Sequence, residues 1–348
     1  MKAICVNSNR ELEIREVPAP GELAPNHVVV EVEACGINHG DKTFLANPGA
    51  AGNLLGARLH DVWGASASGK VRSIGPEVPA EFAGRKVAIY RSLSTSPHTI
   101  GLWCERAHIP YTSCVILPDD IPTRDYCGSL VNAITAYAFL EQVTAEGHKG
   151  VIATAGNSAT GLALTALAER RHTPVILLVR SAAAREELRG LGVEHVIATN
   201  GENFETELGD LATQLQATAV FDGVGGELIS RIAPHLPMNA TIYLYGFLGG
   251  STPISVSSRL FVAKNLVMKR FSNFNSATVA DPHRLTAALT DLRTVIANPM
   301  FRTKIGKSFR FEQIDEAMAY EATPGSKAIL VPATVQRQSD DALPAVRR

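Results

Sequence analysis

The stretch that most constrains this chain is Val151–Gly161, which reads VIATAGNSATG and runs from a short β-branched segment into a glycine turn. An apolar run of that length is the mark of a strand buried on both faces. Leu162–Arg171 follows, rich in Ala and Leu and free of Gly and Pro, which predicts a helix. Val175–Val179 repeats the buried-strand signature and ends at Arg180. Strand, tight turn, helix and second strand form a βαβ unit, the opening of a dinucleotide-binding domain. Gly156 turns the chain at the carboxyl end of the strand, and Gly161 lets the helix lie close to the sheet. Asn157, Ser158, Ala159 and Thr160 complete the loop. The helix start then offers N–H groups and the positive end of its dipole to a pyrophosphate.

At the middle position of G-x-G-x-x-G, this loop has Ser158, which offers a hydroxyl where a glycine would offer close backbone approach. NAD-preferring folds place an Asp or Glu at the end of the second strand for the ribose hydroxyls. Here that place holds Arg180, with Ser181 beside it and Arg185 one helical turn on. A guanidinium and a hydroxyl suit a 2′-phosphate, so the expected cofactor is NADPH. The bland alternative makes Arg180 a solvated charge at a strand end.

With 348 residues, two domains are expected. The chain is 45% hydrophobic and 19% charged with a net charge of −1, which gives no reason to expect nucleic acid or an anionic membrane as partner. No apolar run is long enough to span a bilayer. The first residues enter a strand-like pattern without the apolar core of a secretion signal, so a cytoplasmic location is expected. The five cysteines are widely spaced and form no C-x-x-C, which indicates neither a zinc lobe nor a disulfide framework.

Residues 1–125 look β-rich. Val28–Glu33, Lys70–Gly75 and Arg85–Tyr90 alternate like half-buried strands between Gly and Pro punctuation, which suggests a small barrel-like domain. From Tyr126 to Val143 a helix is predicted, and beyond Arg180 strands and helices alternate, as in a doubly wound parallel sheet. Val267–Phe271 reads as an edge strand, Ile305–Phe311 as extended, and Ser326–Pro332 as a closing strand. The segment after residue 333 reads as a frayed tail.

Ala34–Asp41, Gly69–Val71, Phe82–Ala88, the loop at Gly156–Gly161, Phe221–Gly226 and Tyr245–Gly246 together resemble the medium-chain dehydrogenase/reductase superfamily, over nearly the whole chain from Met1 to about Pro332. The resemblance implies a GroES-like β-rich domain over 1–125 and 300–348, interrupted by a Rossmann NADPH-binding domain over 126–299. Zinc-containing members carry a metal-binding partner near Cys35 and a Gly-His-Glu motif before the strand that Gly69 begins. Here Trp63–Gly69 supplies no ligand, and a catalytic zinc needs three, so no metal is expected. His60 and Asp61 read as loop residues next to a cleft.

The chain is more similar to the zinc-free branch of quinone oxidoreductases and 2-enoyl thioester reductases. Asn38 and Asp41 fit its Gly-x-Asn-x-x-Asp pattern, which implies Asn38 near the nicotinamide and substrate and Asp41 holding the loop. Asn132–Tyr137 resembles the Asn-x-x-Thr-Ala-Tyr helix of enoyl reductases, implying that Asn132 and Thr135 meet the nicotinamide ribose or carboxamide; helix-core packing is the alternative. The same resemblance assigns cofactor contacts to Gly223, Val224, Tyr245, Gly246, Phe247 and Phe271. Phe44, Trp63 and Phe271 are candidates for an apolar substrate pocket, with plain core as the alternative. The proton-donating Tyr that enoyl thioester reductases place shortly after the Asp is missing from Thr43–Pro48, leaving Tyr90, Tyr245 or water to donate. The expected function is NADPH-dependent hydride transfer to a quinone or an enone- or enoyl-type acceptor, in a homodimer. A non-catalytic NADPH-binding sensor of the same fold is the alternative.

Overall fold

In the computed structural model, residues 1–46, 59–94, 96–323 and 325–333 are described. Residues 47–58, 95, 324 and 334–348 lie outside them. The chain divides into one unit made of Met1–Asn132 with Leu285–Arg348 and another made of Ala133–Arg284. In the first, β1 (Lys2–Val6) pairs antiparallel with β2 (Leu12–Glu16). The long strand β3 (His27–Gly36) follows, then α1 (His39–Ala46), β4 (Ser66–Ile74), β5 (Lys86–Tyr90), β6 (Arg106–Pro110) and β7 (Cys114–Ile116). β4 runs along one edge of β3, and β6 takes His27–Glu31 on the other. Most β3 side chains are buried on both faces, because the sheet curls around a core that includes Val30, Val32, Trp63, Ile89, Trp103 and Ile109.

Helix α2 (Ser129–Ala145) carries the chain into the second unit. It begins later than Tyr126, where the sequence predicts it. Thr123–Tyr126 forms a 3₁₀ turn, and the Gly128 N–H goes to Thr303 Oγ1 instead of a helical carbonyl. Next come β8 (Gly150–Ala153), α3 (Ala159–Arg170), β9 (Val175–Val179), α4 (Ala182–Gly190), β10 (Val196–Ala198), α5 (Phe204–Gln214), β11 (Ala217–Asp222), α6 (Gly226–Ile232), β12 (Thr241–Leu244), α7 (Ser258–Lys264) and β13 (Val267–Arg270). Their parallel strands lie in the order β10-β9-β8-β11-β12-β13. That is the doubly wound Rossmann arrangement, with its topological switch between β8 and β11. Phe139 of α2 stacks on Phe221 at 3.9 Å between ring centres, and Phe271 meets both edge-on at 5.5 Å.

The chain then returns to the first unit through helices α8 (Ala277–Ala280) and α9 (Pro282–Val295), strand β14 (Lys304–Arg310), helix α10 (Ile314–Ala319) and strand β15 (Ser326–Val331). β14 lies parallel to β15, and β15 pairs antiparallel with the end of β3 through Ile329 with Gly36 and Leu330 with Cys35. β6 and β15 thus share one edge of β3, each covering part of it.

Two features of these cores have measurable consequences. A Cβ on Gly101 would lie 2.0 Å from the Val62 carbonyl oxygen, where backbone leaves no room. Gly101→Ala therefore lowers the denaturant midpoint, at a cost of about 1–3 kcal/mol; an unchanged midpoint contradicts this packing. In the second unit, Glu146 accepts from Tyr243 Oη at 2.5 Å, Lys269 Nζ at 2.7 Å and Gln142 Nε2 at 2.8 Å. Because Tyr243 gives its hydrogen to Glu146, the ring of His148, whose Nε2 lies 3.0 Å from that oxygen, is the donor to it. Burial pushes the Glu146 carboxyl up, but these donors outweigh it and hold the pKa at about 2. A depressed carboxyl contributes stability above its unfolded pKa and loses it as pH falls through the folded value. Denaturant titrations from neutral pH down to about 2 are expected to show an acid-labile component of about 1 kcal/mol or less, reduced by solvent screening, that Glu146→Gln removes.

Candidate functional site

The first unit gathers four polar side chains at the end of β3. Asn38 lies two residues past that strand and Asp41 in the first turn of α1; Ser66 opens β4 opposite Gly36, and Lys327 is near the start of β15. Asp41 Oδ2 accepts from the Asn38 backbone N–H at 2.8 Å and from Asn38 Nδ2 at 3.1 Å, while its Oδ1 accepts the Ala65 N–H at 3.1 Å. Asn38 Nδ2 also donates to Ser66 Oγ at 2.7 Å, and Lys327 Nζ donates to Asn38 Oδ1 at 2.8 Å. An ammonium only donates and a carboxylate only accepts, so these contacts fix which end of the Asn38 amide is oxygen. Burial pushes the Asp41 carboxyl up against the donors around it.

In the second unit the two glycines of the βα turn sit where the sequence requires them. A Cβ on Gly156 would fall 2.6 Å from Leu177 Cβ, and one on Gly161 would fall 2.3 Å from the Gly156 carbonyl oxygen. Ser158 caps α3, its hydroxyl oxygen accepting the Gly161 N–H at 3.2 Å. Ser181 caps α4 in the same way, from the Ala184 N–H at 3.3 Å. Capping uses only the oxygen lone pairs of these two hydroxyls. Arg180 is exposed at the end of β9 and makes no ion pair or hydrogen bond among the described residues, whereas Arg185 lies 3.4 Å from Glu186.

Across the switch point, the segments after β11 and β12 are joined by backbone bonds. Tyr245 and Gly246 donate to the Asp222 carbonyl, Leu248 to that of Gly223, and Gly249 to that of Val224. Tyr245 stacks on Phe221 at 4.0 Å, and its hydroxyl hydrogen-bonds with the Ser158 and Thr160 side chains. Ser158, Thr160, Gly223 and Tyr245 therefore meet at one place. Asp222 and Thr154, which sequence reasoning missed, hold that place together. Asp222 is fully buried; it accepts from Thr154 Oγ1 at 2.6 Å, the Val224 N–H at 3.1 Å and the Gly225 N–H at 2.8 Å. Burial pushes its carboxyl up despite these three donors. The only hint in the sequence was an acidic residue ending an apolar strand before three glycines.

The other expected site residues are placed as follows. Trp63 is 1% exposed within the core of the first unit, and Phe44 packs against that core from the side. Asn132 donates back to the Gly128 carbonyl at 2.6 Å, and Thr135 Oγ1 receives Asn273 Nδ2 at 3.1 Å. Phe271 is buried in the aromatic stack, and Phe247 is 54% exposed. Tyr90 is buried in β5.

The donor set does not fit a zinc site. Among the described residues no three metal-binding side chains converge, and the buried Cys35 thiol donates to the Leu102 carbonyl at 3.2 Å, its pKa pushed well up by burial. His60 and Asp61 are exposed in a turn. A dinucleotide does fit the second unit: the capped start of α3, the glycine contacts and the unpaired Arg180 are the parts such a ligand uses. No helix among the described residues is long and apolar enough to cross a membrane.

Residues 24–119 match the alcohol dehydrogenase GroES-like domain family, and residues 159–292 the zinc-binding dehydrogenase family, together more than half of the chain. Quinone oxidoreductase-like protein 2 of Bos taurus is 26% identical over 91% of this chain and 88% of its own length. The mitochondrial enoyl-[acyl-carrier-protein] reductase of Arabidopsis thaliana is 26% identical over 72% of this chain, which spans 66% of that protein, just under two thirds. A quinone oxidoreductase structure from Pseudomonas syringae pv. Tomato DC3000 shares the fold at a TM-score of 0.71, with 21% identity over 95% of this chain and 99% of that one.

Asp222→Asn tests the junction at the switch point. An amide there turns an N–H toward at least one of the donors that now point at the carboxylate. The expected cost is about 1–3 kcal/mol in a denaturant titration, with weaker dinucleotide binding. Wild-type stability and binding together would contradict the role given to Asp222.

Proposed function

The chain belongs to the medium-chain dehydrogenase/reductase superfamily, in its quinone oxidoreductase and enoyl reductase branch, and on that footing we propose that it is an NADPH-dependent reductase. The acceptor is a quinone or an activated alkene of the enone or enoyl type, reduced without zinc. The observation that carries the cofactor choice is Arg180, exposed and unpaired at the end of the second Rossmann strand, with Ser181 beside it. A carboxylate at that place would repel a 2′-phosphate; a guanidinium forms a charge-assisted pair with it. The names of the relatives support the acceptor class.

When bound, the nicotinamide supplies the hydride. The chain's own residues have three tasks. The start of α3 with Ser158 and Thr160 takes the pyrophosphate, and Arg180, Ser181 and Arg185 take the 2′-phosphate. The cluster around Asn38 meets the acceptor, where charge grows on oxygen and a proton must arrive.

The cofactor reading is tested by Arg180→Ala in fluorescence titrations. Losing one charge-assisted contact of about 1.5–3 kcal/mol raises the Kd for NADPH roughly 10- to 100-fold while leaving NADH nearly untouched. Equal losses for both cofactors would remove the phosphate role. Following NADPH oxidation across a panel of small quinones and enones tests the acceptor class.

A further inference from the structure

The antiparallel ladder of β15 on β3, continued by the Ile37 N–H to the Ala328 carbonyl at 3.2 Å, sets Lys327 opposite Asn38 although 289 residues separate them. In this cluster Asn38 has nothing left to donate. Its Nδ2 is engaged by both Asp41 and Ser66, and its Oδ1 is occupied by the ammonium. Lys327 Nζ has three hydrogens and uses one on Asn38. Tyr90 is buried in β5, and the Tyr245 hydroxyl is held by Ser158 and Thr160.

We infer that Lys327 is the residue that delivers the proton to the reduced acceptor, with Asn38 and Asp41 positioning its ammonium. The inference rests on the reductase reading above. Hydride addition at the β-carbon of an enone would turn the C=C π pair into an enolate. The enolate pair takes a proton from Nζ, the N–H bond breaks, and the neutral amine left behind is reprotonated from water. Lys327 is partly exposed as a residue, and its ammonium lies within the cluster, buried beside Asn38. The groups facing it are the Asp41 carboxylate and the Cys127 thiol, which raise its pKa, and the His39 imidazole, whose own pKa burial and this cation lower. Burial outweighs the first two and draws the ammonium below the usual lysine value.

The decisive variants are Lys327→Arg and Lys327→Met in the full chain. Arginine keeps the charge and a donor for Asn38 but holds its protons at any working pH. In NADPH-driven reduction of 2-cyclohexen-1-one, kcat is expected to fall by about 10²–10⁴-fold in both variants. NADPH affinity and melting temperature are retained in the arginine variant. In wild type, kcat falls on the alkaline side, and that limb is absent in the variants. An independent readout needs no turnover: competitive acylation of the protein by acetic anhydride across pH, read by mass spectrometry, gives a Lys327 midpoint below the ~10.4 of a free lysine. Wild-type kcat and an unchanged alkaline limb in both variants overturn the proposal and leave the reductase reading standing. Absence of NADPH oxidation by wild type with every enone and quinone overturns that reading and this proposal together. A labelling midpoint at or above the free value overturns the proposal in either case.

Discussion

The first unit depends on the contact between β15 and the last residues of β3. It is a short pairing, Ile329 with Gly36 and Leu330 with Cys35, yet it covers an edge that β6 leaves open and carries Ile329 and Leu330 into buried positions. It also sets the register of every polar group beyond it. A slip of one residue would turn Lys327 to the other face of the sheet. Asn38 would then keep Asp41 and Ser66 but lose the donor to its oxygen, and a buried amide with an unsatisfied oxygen costs about 1–3 kcal/mol. The hydrophobic pairing and the polar cluster therefore specify the same register.

The second unit solves a different problem. Its strands are parallel and their carboxyl ends open on the switch point, so the loops there need fixing from below. Asp222 does this with one carboxylate, gathering Thr154 from the end of β8 and two N–H groups from the turn after β11. Ser158 and Ser181 fix the two helix starts by capping them. Each of these contacts is short in sequence or spans neighbouring strands.

The contrast between the units explains what a linear reading reaches. Val151–Arg180 was legible because strand, turn and helix are dictated by residues close together, and the parallel order follows from their alternation. The GroES-like and Rossmann architecture was legible for the same reason, motif by motif. Asn38 and Asp41 stood out as a local pattern. Lys327 did not, because a lysine in a closing strand has no chemical meaning until the sheet sets it against Asn38. Aromatic residues were ambiguous in another way. Trp63 as a pocket wall and Trp63 as core have the same sequence, and only its 1% exposure separates them. The start of α2 was not legible, because the Gly128 N–H has its partner in Thr303, far along the chain.

The split first unit also bears on how the protein is made. Every strand of the Rossmann sheet has left the ribosome once residue 270 has emerged, and that unit is one continuous run of chain. The end of β3 must wait for residues 326–331, so throughout translation it presents unpaired backbone at Cys35 and Gly36. Domains fold as units during synthesis, and an open strand edge is where nascent chains associate wrongly. The nascent protein is thus a finished Rossmann domain carrying an unfinished barrel, and the time spent in that state is the interval in which a chaperone has most to protect.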